Sequence, residues 1–333
     1  KRHSAMTSAS NGDRPIPART GPSRPRPTTT RRRRKPFVLR RLRLRRLVSR
    51  TLALALLLPI TLLLGACVFA PDRPPFRVDG ATKGIIALDD PDGYDLAVWR
   101  SGPADARPVI YVHGTPGSAG AFRRYLADPV DGTRSIVYDR PGFGETTPRN
   151  VVPSFQEQAA AIEPLLETTD EGRRPILVGH SLGGPIIARA AADYPERVGG
   201  IVILAGSLDP TLEKPQWFNY LADFPLIRPF IGSALRHAND EIMSAREQTE
   251  MLDRVIHRVT CPVVVIHGTR DSLVSYDNVE YKRDAFTNAE SVRVITLEGV
   301  RHFIPWTHEE TVREAIESLT DPADTQPEQE MAR

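Results

Sequence analysis

The chain of 333 residues lacks several features that would assign it to a function class. It has only two cysteines, Cys67 and Cys261, and no histidine, cysteine and aspartate cluster with the spacing of metal ligands. It also lacks a glycine-rich phosphate loop and a dinucleotide-binding fingerprint. The sequence therefore implies neither a metal nor a cofactor.

Basic residues are concentrated near the N-terminus. The whole chain has 44 Lys and Arg against 41 Asp and Glu, and residues 1–50 hold 17 of the basic residues and one acidic residue. The remainder is acidic, with 27 basic and 40 acidic residues. The arginines at 31–34 could indicate nucleic-acid binding, but the basic segment stops where an uncharged run begins. Because the rest of the chain has no basic excess, we expect no nucleic-acid partner.

The uncharged run at residues 51–71 predicts a connection to a membrane. A basic segment followed by an apolar one is typical of an export signal or a membrane anchor. Residues 64–67 (Leu-Gly-Ala-Cys) resemble a bacterial lipobox, in which Cys67 receives a diacylglyceryl group and becomes the new N-terminus. The alternative is an uncleaved signal anchor, because 21 uncharged residues just suffice to cross a bilayer. Both alternatives predict a protein of the bacterial cell membrane whose folded part faces away from the cytoplasm, and lipidation of Cys67 leaves Cys261 without a disulfide partner.

The sequence predicts one folded domain. Residues 1–50 combine a disordered Arg- and Pro-rich stretch with the basic start of the signal, residues 51–70 form the signal or anchor, and residues 321–333 form a disordered tail. Residues 71–320 suffice for one α/β domain with a large core. Strand-like runs alternate there with amphipathic segments such as residues 154–167, a pattern typical of a mostly parallel sheet covered by helices.

Residues 176–184 (Ile-Leu-Val-Gly-His-Ser-Leu-Gly-Gly) contain the most informative motif. An apolar strand leads into Gly-x-Ser-x-Gly and then into a helix-forming segment, the order of a sharp turn that presents a nucleophilic serine. Strand and helix pass closely in such a turn, so small residues are needed two positions before and after Ser181. Gly179 and Gly183 meet that need.

Two later strand-like runs provide the partners that a serine nucleophile needs. A base must remove the serine proton, and a carboxylate must orient that base. The run at 262–266 leads to Asp271, and the run at 292–297 leads to His302.

An earlier run, residues 109–112, ends in a loop that can surround an oxygen atom. This loop is residues 113–117 (His-Gly-Thr-Pro-Gly). Acyl transfer places negative charge on a carbonyl oxygen, which preorganised backbone N–H groups stabilise. We expect Thr115 and Leu182, the residue after the serine, to be these donors.

These motifs resemble those of the α/β-hydrolase superfamily, whose members carry serine, aspartate and histidine in this order after successive strands. The resemblance covers about residues 76–320 and implies a mostly parallel sheet of about eight strands, flanking helices and a short helical lid. The His-Gly-x-Pro-Gly form is similar to that of proline iminopeptidases, haloperoxidase-like enzymes and carboxylesterases. Because residue 181 is serine, an aspartyl ester of the kind formed by haloalkane dehalogenases and epoxide hydrolases cannot form.

Residues 139–144 (Asp-Arg-Pro-Gly-Phe-Gly) resemble the turn that follows the fourth strand of that superfamily. Asp139 is expected to anchor the loop. Arg140 and Phe143 could contact the substrate, although a structural role in the turn is favoured.

Two assignments have a competitor. His308 lies close to His302, but the residues around it are typical of a helix N-terminus and not of a loop after a strand. Asp209 follows a strand-like run, a location that some superfamily members use for the acid, and it competes with Asp271. The order of the motifs favours Asp271 and His302.

Residues 207–258 form an insertion that we expect to be the lid. Its first half holds five of the chain's 22 aromatic residues, and its second half, residues 241–258, is predicted to be a helix. A lid over the serine supplies apolar surface and excludes water. The aromatic residues expected to line the substrate pocket are Trp217, Phe218, Tyr220 and Phe224.

The sequence thus predicts a serine hydrolase that cleaves small or medium apolar carboxylic esters. Amide hydrolysis of the proline-iminopeptidase kind and cofactor-free perhydrolysis use the same parts and remain alternatives. A non-catalytic binding module is a further alternative, but such a module does not require Ser181, Asp271 and His302 together.

Overall fold

Four continuous apolar runs form the centre of the molecule, as expected for strands buried on both faces. A computed structural model describes residues 75–88, 93–169 and 172–320 of the chain. In these ranges every residue of β5 (Ile176–His180), β6 (Gly200–Leu204) and β7 (Val263–Gly268) is buried. The fourth run, β3 (Arg107–Val112), is buried at all but its first residue.

The described strands form one eight-stranded sheet. Its order is β1-β2-β4-β3-β5-β6-β7-β8. The outer strands β1 (Thr82–Ala87) and β2 (Asp95–Ser101) are antiparallel, and β2 also pairs antiparallel with β4 (Thr133–Tyr138). The remaining pairs, up to the edge strand β8 (Val292–Leu297), are parallel. The order reverses around β3, so loops from both halves of the sheet meet at the carboxyl ends of its central strands.

Helices connect these strands and cover both faces of the sheet. The α-helices are α1 (Arg123–Ala127), α2 (Phe155–Ala160), α3 (Gly183–Asp193), α4 (Trp217–Asp223), α5 (Ser233–Asp253), α6 (Asn278–Ala285), α7 (Ile304–Thr307) and α8 (Glu309–Glu317). Short 3₁₀ turns occupy Ala119–Phe122, Glu163–Leu165, Arg228–Phe230 and Ile256–Arg258. None of the helices in the described ranges is long and apolar enough to cross a bilayer.

The core has two layers, one on each face of the sheet. Strand β3 shows why, because successive side chains of a strand point to opposite faces. Ile110 and Val112 pack in the layer that includes α3, whereas Val109 and Tyr111 pack with Phe122 in the other layer. The side chains of both layers are buried, and such close packing makes the sheet a rigid support for the loops at its edge.

The predicted α/β-hydrolase fold, with a mostly parallel sheet and flanking helices, is confirmed. The predicted lid helix begins earlier than expected, because α5 starts at Ser233 and not at residue 241. The predictions for residues 1–70, including the lipidation of Cys67, and for the tail at 321–333 lie outside the described residues.

Candidate active site

Three of the predicted site residues lie at the carboxyl edge of the sheet. Ser181 directly follows β5, Asp271 lies in the loop after β7, and His302 lies in the loop after β8. The strands β5 to β8 are parallel, so their carboxyl ends share one edge. Residues more than a hundred positions apart in sequence are thereby brought to one place, where ligands bind in sheets of this kind.

Ser181 occupies a strained turn. Its φ is 55°, a left-handed backbone conformation that is costly for a residue with a side chain. The turn is held by hydrogen bonds from Ser181 N to Leu204 O and from Gly184 N to Ser181 O, both 2.9 Å. A Cβ on Gly179 would overlap the Gly183 carbonyl, so the motif needs its glycines for close approach. The serine is half-buried, and its hydroxyl makes no hydrogen bond with any residue that the structure describes.

Asp271 and His302 are hydrogen-bonded, with His302 Nδ1 2.7 Å from Asp271 Oδ2. The other carboxylate oxygen accepts the backbone N–H groups of Leu273 and Val274, each at 2.9 Å. The Asp271 side chain has no exposed surface. Burial alone would raise its pKa, but the hydrogen bonds from His302 and from the two backbone N–H groups prevail and lower the pKa below its ordinary value. The carboxylate is therefore ionised at neutral pH and holds the imidazole through its Nδ1–H.

His180, the last residue of β5 and the residue before Ser181, contacts His302. Its Nε2 donates to the His302 carbonyl oxygen at 3.0 Å, and the centroids of the two rings lie 4.8 Å apart. Burial lowers the pKa of His180 to about 3, so its ring is neutral. His180 thus fixes the backbone of His302 and is not itself placed to act as a base.

The loop at residues 113–117 lies against the serine. A Cβ on Gly114 would come within 2.8 Å of Ser181 Cβ and 3.4 Å of Ser181 Oγ, which shows how closely the two segments approach. The backbone N–H groups of Thr115 and Leu182 donate to no other described residue. The Thr115 hydroxyl is also buried without a partner among those residues. Hydrogen-bond donors that have no partner and lie beside a serine are suited to bind an oxyanion.

Asp139, in the turn after β4, links that turn to the segment directly after this loop. Its Oδ1 accepts the Ala119 N–H at 2.6 Å, and its Oδ2 accepts the Glu145 N–H at 2.7 Å. Burial raises the pKa of Asp139 to about 6, even though both backbone hydrogen bonds favour the charged form. Both oxygens of the Asp139 carboxylate accept hydrogen bonds from backbone N–H groups, so this residue has a structural role.

The two competing residues make other contacts. Asp209 Oδ1 accepts the Thr211 N–H at 2.8 Å and the Thr211 hydroxyl at 2.7 Å. His308 lies at the start of α8, and its Nδ1 is 2.9 Å from the neighbouring Thr307 hydroxyl. No hydrogen bond joins either residue to His302 among the described residues.

The four aromatic residues predicted to line the pocket lie on or beside α4. Trp217 is 74% exposed, and Phe218, Tyr220 and Phe224 are each more than half exposed. They are therefore not part of the core, and their contact with a substrate stays a prediction. Helix α4 is held by Asn219, whose side-chain amide donates to Asn239 of α5 at 2.9 Å.

The structure shows a buried lysine near Asp271 that the sequence motifs did not predict. Lys282 on α6 has no exposed surface, and its Nζ donates to His267 Nδ1 at 3.0 Å. The opposite ring nitrogen donates to the Val274 carbonyl at 3.1 Å and lies 3.5 Å from Asp271 Oδ2. Burial and then the Lys282 charge lower the pKa of His267 to about 4, and burial lowers the pKa of Lys282 to about 7 against the opposing effects of Asp271 and Glu213.

The helical pattern contained a signal for this lysine. Within α6, Lys282 shares its buried face with Asn278 and Val279, at the spacing that places residues on one side of a helix. No group of three or more metal-ligating side chains suited to hold a metal ion occurs in the described ranges.

Several known proteins are similar to this chain. Residues 107–228 match the family model for the alpha/beta hydrolase fold. A non-heme chloroperoxidase of Streptomyces lividans is 27% identical over 269 residues, which cover 66% of this chain and 94% of that protein. Lipase 3 of Moraxella sp. (strain TA144) is 24% identical over 228 residues, which cover 59% of this chain and 71% of the lipase.

A solved structure extends the comparison to the fold. The crystal structure of Cfl2 from Burkholderia cenocepacia matches with a TM-score of 0.58 and 20% identity, covering 75% of this chain and 100% of that chain. At this identity the likeness concerns the fold alone. Together with the sheet order and the family model over residues 107–228, it shows that the described residues have the α/β-hydrolase fold.

Proposed function

We propose that the chain is a serine hydrolase that cleaves carboxylic esters through an acyl-enzyme. The observation that carries this proposal is the buried hydrogen bond between Asp271 and His302 at the sheet edge where Ser181 sits in its strained turn. The loop at residues 113–117 packs against the same serine. Nucleophile, base, orienting carboxylate and oxyanion donors are the parts that acyl transfer needs.

The first half of the reaction forms the acyl-enzyme. Because Asp271 engages Nδ1 of His302, Nε2 is the nitrogen left to accept the Ser181 proton. The serine oxygen attacks the ester carbonyl, and the negative charge on the carbonyl oxygen is received by the N–H groups of Thr115 and Leu182. The imidazolium then protonates the leaving alkoxide, and the alcohol departs.

The second half uses the same groups in reverse. His302 takes a proton from water, the resulting nucleophile attacks the acyl carbon, and the proton returns to Ser181 as the carboxylic acid leaves. The Ser181 hydroxyl has no hydrogen bond to another described residue. We expect it to form a hydrogen bond with His302 Nε2 in the substrate complex, because catalytic hydrogen bonds often tighten only when substrate is bound.

The surface of the lid supports an apolar substrate. Exposed aromatic and aliphatic side chains occupy α4 and the turn after it, and Leu226 is 75% exposed. Such side chains favour an apolar acyl or alkyl group over a charged one. The name of the Moraxella relative, a lipase, supports the same substrate class.

Hydrogen peroxide is a second candidate acyl acceptor. This alternative rests on the relative named non-heme chloroperoxidase, which aligns over 94% of its length. Peroxide attack on the acyl-enzyme would release a peracid and regenerate the Ser181 hydroxyl, with no metal or cofactor required.

The same proposal places the protein at a membrane. The lipobox-like residues 64–67 favour a lipid group on Cys67, with the uncleaved signal anchor as the alternative. Two acyl chains anchor a protein stably because each buried methylene contributes about 0.8 kcal/mol.

A substrate panel tests the proposed activity. Purified protein should hydrolyse p-nitrophenyl acetate, butyrate and octanoate, and should act poorly on proline p-nitroanilide. Adding hydrogen peroxide and measuring peracid separates hydrolysis from perhydrolysis. Turnover of the anilide alone would replace the ester proposal with the amidase alternative.

A further inference from the structure

A fully buried ion pair connects the lid helix to the turn after β4. Arg140 follows β4 and Glu241 lies on α5, and the two side chains are 0% and 1% exposed. The pairing is bidentate, with Arg140 Nη1 2.7 Å from Glu241 Oε1 and Nη2 3.1 Å from Oε2. Because desolvation offsets most of the attraction in a buried pair, stability alone is a weak reason for this arrangement.

The same guanidinium holds two carbonyls of the loop beside the serine. Arg140 Nε donates to His113 O at 3.0 Å, and Arg140 Nη2 donates to Gly114 O at 3.2 Å. Gly114 O also accepts from His113 Nδ1 at 2.8 Å, and His113 Nε2 accepts the Arg140 N–H at 3.1 Å. Two donors therefore fix the direction of one carbonyl, that of Gly114.

The direction of this carbonyl determines the direction of the Thr115 N–H. The peptide between Gly114 and Thr115 is planar and trans, since the cis peptides of the described chain lie elsewhere. In a trans peptide the C=O of one residue and the N–H of the next point in opposite directions. Drawing Gly114 O toward Arg140 therefore turns the Thr115 N–H to the opposite side.

The lid helix contacts the turn after β4 at a second point, and Glu241 has a further neighbour. One helical turn before Glu241, His237 Nδ1 donates to Gly142 O at 2.8 Å. Gln158 Nε2 lies 3.4 Å from Glu241 Oε1 and also donates to Val152 O at 2.9 Å. The contacts of α5 with this turn are thus buried and specific.

We propose that the Arg140–Glu241 pair is a positioning device that aims the Thr115 N–H at the oxyanion and makes this aim depend on the docked lid helix. The inference rests on the proposed function, because it assigns a purpose to the oxyanion donor. Arg140 is a positioning residue here, acting on the reaction through the Gly114 carbonyl. Glu241 lies on the lid helix and holds Arg140, so the orientation of the Thr115 N–H depends on the position of that helix.

Glu241→Gln tests the coupling, with Asp240→Asn as the matched control. Asp240 is the adjacent residue on α5, and it binds Arg228 of the lid at 2.7 Å and 2.8 Å without reaching the loop at 113–117. We expect Glu241→Gln to lower kcat for p-nitrophenyl butyrate and the rate of fluorophosphonate labelling equally, by about tenfold, because one oxyanion donor is misaligned. KM should stay within about twofold, and Asp240→Asn should keep all three values within about twofold of wild type.

Arg140→Lys separates charge balance from carbonyl geometry. Lysine keeps a positive charge for Glu241 but cannot span both carboxylate oxygens and both carbonyls. We therefore expect a cooperatively folding variant with kcat and labelling rate reduced about tenfold or more. If a single variant does not fold, the double variant Arg140→Met with Glu241→Leu removes both buried charges, and its kcat provides the same readout.

Two outcomes overturn the inference. One is a folded Arg140→Lys or Glu241→Gln protein with wild-type kcat and labelling rate. The other is a loss confined to KM, which would assign the pair to the shape of the lid. Wild-type protein that neither hydrolyses esters nor reacts with the fluorophosphonate would instead refute the proposed function.

Discussion

Replacing Lys282 by methionine should change how the stability of the protein depends on pH. Methionine has a similar length and no charge, so the variant removes the buried ammonium while filling most of its space. In the unfolded chain the pKa of Lys282 is near 10.5, whereas burial lowers it to about 7 in the folded protein, against the opposing charges of Asp271 and Glu213. His267, the hydrogen-bond partner of Lys282, is neutral over this range.

The sign of the effect follows from proton counting. Between about pH 7 and pH 10 the unfolded chain binds the Lys282 proton more tightly than the folded protein does, so the free energy of unfolding rises with pH. When the unfolded chain binds one proton more than the folded protein, the free energy of unfolding rises by about 1.4 kcal/mol per pH unit. Because Lys282 is half protonated near pH 7, the stability of wild type relative to Lys282→Met should increase by about 2 kcal/mol from pH 7 to pH 9.

Urea unfolding at several pH values measures this difference. Arg283→Met is the matched control, because Arg283 is the next residue on α6 and its side chain is exposed. Its stability curve should run parallel to that of wild type. A wild-type curve that is parallel to that of Lys282→Met would refute the reasoning, since it would mean that Lys282 carries the same charge in both states.

Three further predictions concern the site and the N-terminus. Asp271→Asn should lower kcat for ester hydrolysis roughly a thousandfold or more, because an amide cannot stabilise the imidazolium, and Asp209→Asn should cost far less in the same assay. Gly114→Ala should lower kcat roughly a hundredfold in steady-state kinetics, because its Cβ would lie 2.8 Å from Ser181 Cβ. Cys67→Ser should abolish incorporation of labelled palmitate in a bacterium that has the lipoprotein-processing enzymes, and the precursor should remain uncleaved on a gel, while the folded domain keeps its esterase activity.

Each of these predictions has a contrary outcome. The reverse ranking of the two aspartate variants would move the orienting carboxylate to the loop after β6. Gly120→Ala is the control for the glycine, because its added Cβ would meet Ser118 Oγ at an ordinary 3.4 Å, and equal losses in both variants would reject the close-packing argument. Wild-type protein without palmitate would reject the lipobox and leave the signal anchor as the better account.

The strands and the order of the candidate site residues could be predicted from the sequence because both are local. The run that became β8 was predicted with the bounds that the structure has, Val292–Leu297. A short run rich in β-branched residues and bounded by turn residues favours a strand over a helix. The Gly-x-Ser-x-Gly motif around Ser181 can likewise be recognised from a few consecutive residues.

The start of the lid helix could not be predicted in this way. The first two turns of α5 contain arginine, histidine, asparagine and aspartate, so they lack the apolar spacing of an amphipathic helix. Tertiary contacts hold these turns instead, among them His237 with Gly142 and Asn239 with Asn219.

The partners of the buried charges could not be predicted from the sequence either. Arg140 and Glu241 are 101 positions apart in the sequence, and arginine and glutamate are residue types that usually lie on the surface. Lys282 lies on a mostly polar helix, where its burial depends on how that helix is placed against β7. Pairings of this kind are decided by the fold and not by a local pattern.

The most direct test of the account is covalent labelling of Ser181. Wild-type protein should react with a fluorophosphonate, and peptide mass spectrometry should find the adduct on Ser181 alone. Ser181→Ala should show no adduct and a turnover lower by several orders of magnitude, while Ser118→Ala, directly after the loop at residues 113–117, should label normally. Retained labelling and turnover in folded Ser181→Ala, or an adduct on another residue of the wild type, would contradict the proposal that this serine is the nucleophile.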